Sequence, residues 1–303
     1  MTSSNSPRLP KPTERFPDWS RFLKAVWLYG MSVENADPVL VDEHVDNAAK
    51  SIKGSMVQRN EAQRIRPSAF LACARQTYYA ANGEQGGDMP SNIGSTFAVG
   101  HLLHELSYAA VKAAIPAGFK VETEKPVGLP DWWPDDYERF NQEGHVDMLI
   151  TAESRSFAYL PEDAPKVMLV DFKTMGGFSF KKHGKTIWGE DPDAFGYLAQ
   201  LSVYADALDV IDNGAIIAGI NRDSLTQPLL PRFIEPAALK AERDRVKVAI
   251  EMALEGSDPG EQFLIRHAHD AYFQCGRNGK PGYCAFRKQC AANPTWSAGA
   301  FDH

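Results

Sequence analysis

The segment LVDFKT, residues 169–174, ends an apolar run with an acid, an aromatic residue and a lysine. In a β-strand, Asp171 and Lys173 emerge on the same face because side chains alternate with a period of two. Two interpretations of this pair remain open: a solvated salt bridge at a strand end, or the middle of an active site.

The surrounding sequence predicts an α/β protein. Strand-like segments rich in Val, Leu and Ile lie at 119–129, 143–152, 166–174 and 215–222, and they should form the sheet. Helical spacing and capping signals predict helices over the segments 18–31, 69–82, 92–115, 192–208 and 236–256. In the fourth helix, Asp191 is the predicted N-cap and Pro192 the first helical residue.

Length and composition restrict the class of protein. The chain has 303 residues, 44% of them hydrophobic, and a net charge of -7 that argues against a nonspecific coat on nucleic acid. It has neither a targeting segment nor an uninterrupted apolar stretch of about eighteen residues, so we expect a soluble cytoplasmic protein without a membrane partner. Residues 1–15 are predicted to form a flexible arm, 16–291 a single domain and 292–303 a tail.

A second acid stands in an apolar strand. Asp147 lies in EGHVDMLI, and neighbouring strands could bring it to Asp171, where two buried carboxylates and a lysine would need compensation. Mg²⁺ or Mn²⁺ would supply it, and Lys173 could then orient the attacking water and offset charge on a phosphate. His104 could add an imidazole to such a site, and His101 is the weaker rival.

Four short motifs follow one another along the chain and resemble those of the PD-(D/E)XK nuclease superfamily, in its RecB-like exonuclease branch. The resemblance implies a restriction-endonuclease-like core, in which a central mixed sheet is flanked by helices. The four motifs are G-x-x-x-H-E (Gly100, His104, Glu105), G-x-x-D (Gly144, Asp147), D-x-K (Asp171, Lys173) and Q-x-x-x-Y (Gln200, Tyr204).

The resemblance also implies roles for these residues. It makes Lys173 the catalytic lysine and places Gln200 and Tyr204 beside the metals and the DNA backbone. The implied ligands of Mg²⁺ or Mn²⁺ are the side chains of His104, Asp147 and Asp171 and the carbonyl of Phe172.

The cysteines are either reduced core thiols or metal ligands. One early and three late cysteines (Cys73, Cys275, Cys284, Cys290) resemble the iron-sulfur staple of some RecB-like nucleases, which implies a 4Fe-4S cluster, with zinc as the alternative. Such a cluster would join the N- and C-terminal helical parts. The late triplet departs from the usual C-x2-C start, because GRNGKPGY separates Cys275 from Cys284.

The segment 176–190 interleaves basic and aromatic residues. Lys181, Lys182 and Lys185 could contact the phosphates of a single-stranded nucleic acid while the rings meet its bases. A solvated loop whose aromatic rings anchor it to the core explains the same composition equally well.

These observations predict a metal-dependent nuclease in which a metal-activated water hydrolyses the phosphodiester. The resemblance implies a DNA substrate and an exonuclease on single strands or ends, whereas the spacing alone leaves RNA open. A helicase or recombinase is a candidate partner, and the sequence does not decide whether one is needed. The alternative hypothesis is a non-cleaving module that holds DNA or a recombination partner on the same iron-sulfur fold.

Overall fold

The computed structural model describes most of the region between residues 16 and 257 and a few positions beyond it. The predicted arm 1–15, the tail 292–303 and Cys275 lie outside the described residues. The described residues are 16–32, 34–57, 64–69, 71, 73–84, 86, 93–153, 159–190, 193, 195–224, 228–257, 276–277, 280–281, 284, 286 and 289–290.

A five-stranded mixed sheet forms the centre of the protein, in the order β1-β2-β3-β4-β5. The β3–β4 pair is parallel and the other neighbours are antiparallel. The predicted α/β class, with a central mixed sheet flanked by helices, is therefore confirmed, and the arrangement is consistent with a restriction-endonuclease-like core. The strands are β1 (Phe119–Gly128), β2 (Glu143–Ala152), β3 (Val167–Met175), β4 (Ala215–Asn221) and β5 (Leu229–Ile234).

Helices cover the sheet, and within the described ranges each of them is too short or too polar to span a bilayer. A 3-10 helix spans Ile211–Asn213, and two short strands, β6 (Gly276–Arg277) and β7 (Lys280–Pro281), pair with each other. The α-helices are α1 (Trp19–Gly30), α2 (Pro38–Val57), α3 (Ala74–Ala81), α4 (Ile93–Ala114), α5 (Gly177–His183), α6 (Tyr197–Ala207) and α7 (Pro236–Leu254).

The two faces of the sheet pack against different helices. On one face, α1 and α4 cover buried residues such as Val170 and Ile216. On the other face, α6 covers Leu169 and Ile217, the residues that precede or follow them along β3 and β4. A third apolar cluster joins α3 and α7 to the outer side of α6. Because both faces of β3 and β4 are covered by helices, the sequences of these strands are nearly continuous apolar runs.

The strand β5 and the helix α2 are among the elements that were not predicted from the sequence. The strand β5 contains Pro231, which interrupts an apolar pattern, but β5 is an edge strand, where a proline costs no ladder hydrogen bond on the open side. The opposite edge strand contains Pro126 for the same reason. The helix α2 packs mainly on α4, and its polar sequence carries only a weak apolar stripe.

Several predicted boundaries were wrong. The helix predicted over 192–208 begins at Tyr197, because Gly196 has a left-handed φ of 72° and Asp193 Oδ2 accepts the N–H of Leu198 at 2.6 Å. The predicted cap residues 191 and 192 lie outside the described residues. Cys73 precedes α3 instead of lying inside it, since its backbone is extended. The segment 176–190, for which no helix was predicted, contains the helix α5.

Two helical glycines offer a matched test of this packing. A β-carbon at Gly30 would lie 2.6 Å from the carbonyl carbon of Ala110, where α1 crosses α4, whereas one at Gly100 would meet nothing within 4 Å. We expect Gly30→Ala to lower the free energy of unfolding by about 1–3 kcal/mol, and Gly100→Ala to raise it by roughly 0.5–1 kcal/mol. Urea unfolding measures both, and equal effects of the two substitutions would contradict the packing of α1 on α4.

Candidate functional site

The two acids of the apolar strands lie together. The antiparallel register pairs Met148 with Val170, so one further step sets Asp147 opposite Asp171 at the point where β2 and β3 separate. There the backbone N–H of Phe172 donates to Asp147 Oδ2 at 2.7 Å instead of to the strand ladder. The structure thus brings the two carboxylates to one spot.

The strand β2 changes its alternation at Asp147. Met148 packs in the cluster under α1 and α4, whereas Val146, two residues earlier, packs under α6, although both would share a face in a regular strand. Opposite this point in β1, Glu124 has a φ of 47°, an uncommon value for a residue with a side chain. This local irregularity places the Asp147 carboxylate between the two helical layers, within reach of α4.

Lys173 links the sheet to α6. Its Nζ donates to Asp171 Oδ1 at 2.7 Å and to Gln200 Oε1 at 3.1 Å, and it lies 5.3 Å from the centre of the Tyr197 ring. Burial by itself would lower the pKa of Lys173, but the charges of Asp171 and Asp147 outweigh it and raise the pKa. The side chain is therefore held as an ammonium ion, which suits charge neutralisation and not proton abstraction.

Both carboxylates resist ionisation because they are buried. Burial raises the pKa of Asp171 to about 6, with Lys173 opposing and Asp147 adding to the shift, and burial likewise raises the pKa of Asp147. Asp171 is 3% exposed, and its Oδ2 has no hydrogen-bond partner among the described residues. A buried carboxylate oxygen without a partner is the kind of atom that a divalent cation satisfies.

His104 approaches the carboxylates from α4. Its Nδ1 lies 3.5 Å from Asp147 Oδ2, and burial followed by the Lys173 charge lowers the pKa of His104 to about 3. The imidazole is therefore neutral, the form that ligates metals. His101 is half-buried one turn earlier, and its charge would act on both His104 and Asp147.

The last motif contributes one hydrogen-bonding residue and one packing residue. Gln200 accepts from Lys173, as described, and Tyr204 lies against the glycine of the G-x-x-D motif, since a β-carbon at Gly144 would be 2.5 Å from Tyr204 Cε1. Gly144 is thus required by the close approach of α6 to β2. Glu105 of the first motif pairs with His44 of α2 at 2.5 Å, a buried contact that fixes α2 on α4.

Sequence reasoning missed three side chains at this site. The Tyr108 hydroxyl donates to Glu124 Oε1 at 2.7 Å and lies close enough to Asp147 for the charge of that carboxylate to help raise the pKa of Tyr108. Although Glu124 as a whole residue is exposed, desolvation of its carboxyl group and the Asp147 charge raise its pKa to about 7. Tyr108 follows His104 by one helical turn, a spacing that could have identified it, as the Gln200 spacing could have identified Tyr197. The left-handed backbone of Glu124 has no signal in the sequence.

Three of the four cysteines are described, and they lie near one another. Cys284 and Cys290 are buried in the cluster that contains α3, and Cys73 is the N-cap residue of that helix. Burial raises the pKa of the Cys290 thiol to about 11, and the charges of Cys284 and Cys73 add to the shift. Across the described part of the chain, however, no three His, Cys, Asp or Glu side chains converge in a metal-binding arrangement.

The predicted nucleic-acid lysines lie on or just after α5. Lys181 and Lys185 are exposed and Lys182 is half-buried. Phe180, from the same helix, is buried at 6% exposure, so part of the segment is anchored to the core, while Phe178 is 60% exposed. Each of the two interpretations of this segment therefore accounts for some of its residues.

Comparison with known proteins yields little. No known protein family and no curated protein matches the chain. The crystal structure of SSO0001 is similar at 15% identity and a TM-score of 0.43, over 82% of this chain and 94% of that chain. A likeness of this extent carries no information about function, which is therefore inferred from the site residues alone.

The contact between Gly144 and Tyr204 can be tested by a double-mutant cycle. We expect Gly144→Ala to lower the free energy of unfolding by about 1–3 kcal/mol, because the buried Tyr204 ring has little room to move. The control is Gly128→Ala. Gly128 lies in β1, next to the residue that pairs with Gly144, and a β-carbon there would meet no atom within 4 Å, so this substitution should have little effect. Urea unfolding should show that the Gly144→Ala penalty disappears in a Tyr204→Ala background; an equal penalty in both backgrounds would contradict the contact.

Proposed function

We propose that the protein is a metal-dependent DNA nuclease that hydrolyses phosphodiesters, an exonuclease on single strands or DNA ends. One observation carries the proposal: Asp171 is buried beside Asp147, with one oxygen bonded to Lys173 and the other without a hydrogen-bond partner in the described part of the chain. Two carboxylates, a neutral imidazole and a fixed ammonium ion at one spot are the groups that metal-assisted phosphodiester hydrolysis uses.

Burial argues against a purely structural salt bridge. The side chains of Lys173 and Asp171 are 15% and 4% exposed, whereas the surface pair of Lys240 and Asp212 is 44% and 77% exposed. A buried ion pair with a second carboxylate beside it is costly to maintain and is weak evidence for stability. A functional role accounts for keeping this arrangement inside the sheet.

The donor set fits Mg²⁺ or Mn²⁺. Asp147, Asp171 and His104 would hold the ion, with the Phe172 carbonyl as the further ligand that the family resemblance implies. The bound ion would polarise the phosphate and lower the pKa of a water molecule. His104 is neutral and its side chain is 21% exposed, so its ring nitrogen can serve as a ligand without first losing a proton.

Lys173 would neutralise charge that develops on the scissile phosphate. Its ammonium is oriented by Asp171 Oδ1 and Gln200 Oε1, so it is held in place before the substrate binds. Tyr204 would position α6 through its contact with Gly144. Lys181, Lys182 and Lys185 stay candidates for contacts with phosphates along the strand, and the cytoplasmic location and the helicase or recombinase partner stay predictions from the sequence.

The catalytic proposal is tested by cleavage of end-labelled single- and double-stranded DNA with Mg²⁺, Mn²⁺ or EDTA. We expect the parent protein to cut only with the metal, and Lys173→Ala to cut at least about a hundredfold more slowly, because a preorganised charge at the phosphate is lost. Lys240→Ala removes a surface lysine that is also ion-paired, and it should cut like the parent.

Two results would contradict the proposal. Equal cleavage by the parent and Lys173→Ala would remove the assigned role of the lysine. Binding of DNA by the parent, with no cleavage under any metal condition, would favour the non-cleaving module instead.

We also propose that the four cysteines hold a 4Fe-4S cluster, with zinc as the alternative. The proximity of Cys73, Cys284 and Cys290 supports it, and so does the antiparallel pairing of Gly276–Arg277 with Lys280–Pro281, residues that lie between Cys275 and Cys284 in the sequence. Anaerobically purified protein should be brown, whereas Cys290→Ser should lose the colour and melt at a lower temperature.

In this experiment Lys173→Ala is the control, which should keep both the colour and the melting temperature. Colourless parent protein with stoichiometric zinc would refute the iron assignment. Parent protein with neither metal would refute the cysteine site.

A further inference from the structure

Two aromatic rings are stacked beside the ammonium group of Lys173. The rings of Phe195 and Tyr197 have centroids 5.4 Å apart and an interplanar angle of 16°. Tyr197 is the inner ring, 5.3 Å from Lys173 Nζ, and Phe195 is the outer ring, 40% exposed to solvent. The two stacked rings thus extend from the candidate active site toward solvent.

The backbone holds this pair in place. Gly196, between the two aromatic residues, has a φ of 72°, a conformation that glycine adopts without strain and that begins α6. Asp193 accepts the N–H of Phe195 at 3.2 Å and the N–H of Leu198 at 2.6 Å. The outer ring is therefore presented on a segment that is fixed by hydrogen bonds at both ends.

The outer ring keeps one face open to solvent. Tyr197, the first residue of α6, is half-buried beside Lys173, and its ring covers one face of Phe195. Single exposed apolar residues are common on protein surfaces, so it is the position of this ring beside the Lys173 ammonium, and not its exposure, that points to a ligand. The ligand must offer a flat apolar face to Phe195 and a negative group to Lys173.

We propose that Phe195, supported by Tyr197, is a stacking platform for an unpaired base of the nucleic-acid strand whose phosphate lies at Lys173. This inference rests on the proposed nuclease function and specifies its substrate as single-stranded at this point. A base inside a duplex already stacks on its neighbours, whereas an unpaired base has a free face for an aromatic side chain. Stacking accepts any base, so the platform selects for single-strandedness and not for sequence.

The experiment compares two fluorescently labelled probes that carry the same phosphates: a single-stranded oligothymidylate and its abasic analogue. Binding is followed by fluorescence anisotropy in EDTA, so that cleavage cannot interfere. We expect Phe195→Ala to bind the oligothymidylate roughly tenfold more weakly than the parent, as the loss of one stacked base predicts. The abasic probe should bind both proteins alike, and Phe195→Trp should restore the parent affinity for the oligothymidylate.

Tyr137→Ala is the matched control, since Tyr137 is 66% exposed in the segment between β1 and β2 and should not affect either probe. Unchanged oligothymidylate affinity in Phe195→Ala, or an equal loss on both probes, would overturn the platform while leaving the nuclease proposal intact. Failure of the parent to bind either probe, together with absence of cleavage, would overturn the nuclease proposal and the platform with it.

Discussion

The ion pair between Lys173 and Asp171 is the interaction on which the rest of the site depends. Asp147 and Asp171 face each other across two central strands, and burial raises the pKa of both carboxylates. Two such groups cannot both be charged inside a protein unless a cation stands beside them. Lys173 supplies that positive charge but hydrogen-bonds only one oxygen of Asp171. The other oxygen has no hydrogen-bond partner among the described residues and is available to a metal cation.

The sheet and its two helical layers each contribute one part of this arrangement. The strand irregularity at Asp147, opposite the left-handed backbone of Glu124, points the carboxylate toward α4, where His104 and Tyr108 meet it. From the other layer, α6 brings Gln200 to the lysine. A regular strand would have kept every acid on one face, and the imidazole and the amide could not then have reached the same point.

Close packing between elements explains residues that would otherwise look like catalytic ones. Gly144 serves the approach of Tyr204, and Glu105 fixes α2 on α4 through His44. The motif residues thus divide into those that present charge at the site and those that hold the helices which carry it. The apolar cluster around α3 also includes the late cysteines Cys284 and Cys290. These two residues follow the last strand of the central sheet by about fifty positions in the sequence, yet they pack against α3.

The sequence by itself determined the α/β class, four of the five strands of the central sheet and the identity of the acids, the lysine and the histidine. Period-two and helical spacing are local properties, and charges inside apolar runs stand out without any knowledge of the fold. Only the tertiary structure decided where α6 begins, that β5 closes the sheet despite Pro231, and that Tyr108, Glu124 and Tyr197 surround the charges. These features depend on a left-handed backbone at Gly196 and Glu124 and on contacts between segments distant in sequence, and neither leaves a periodic pattern along the chain.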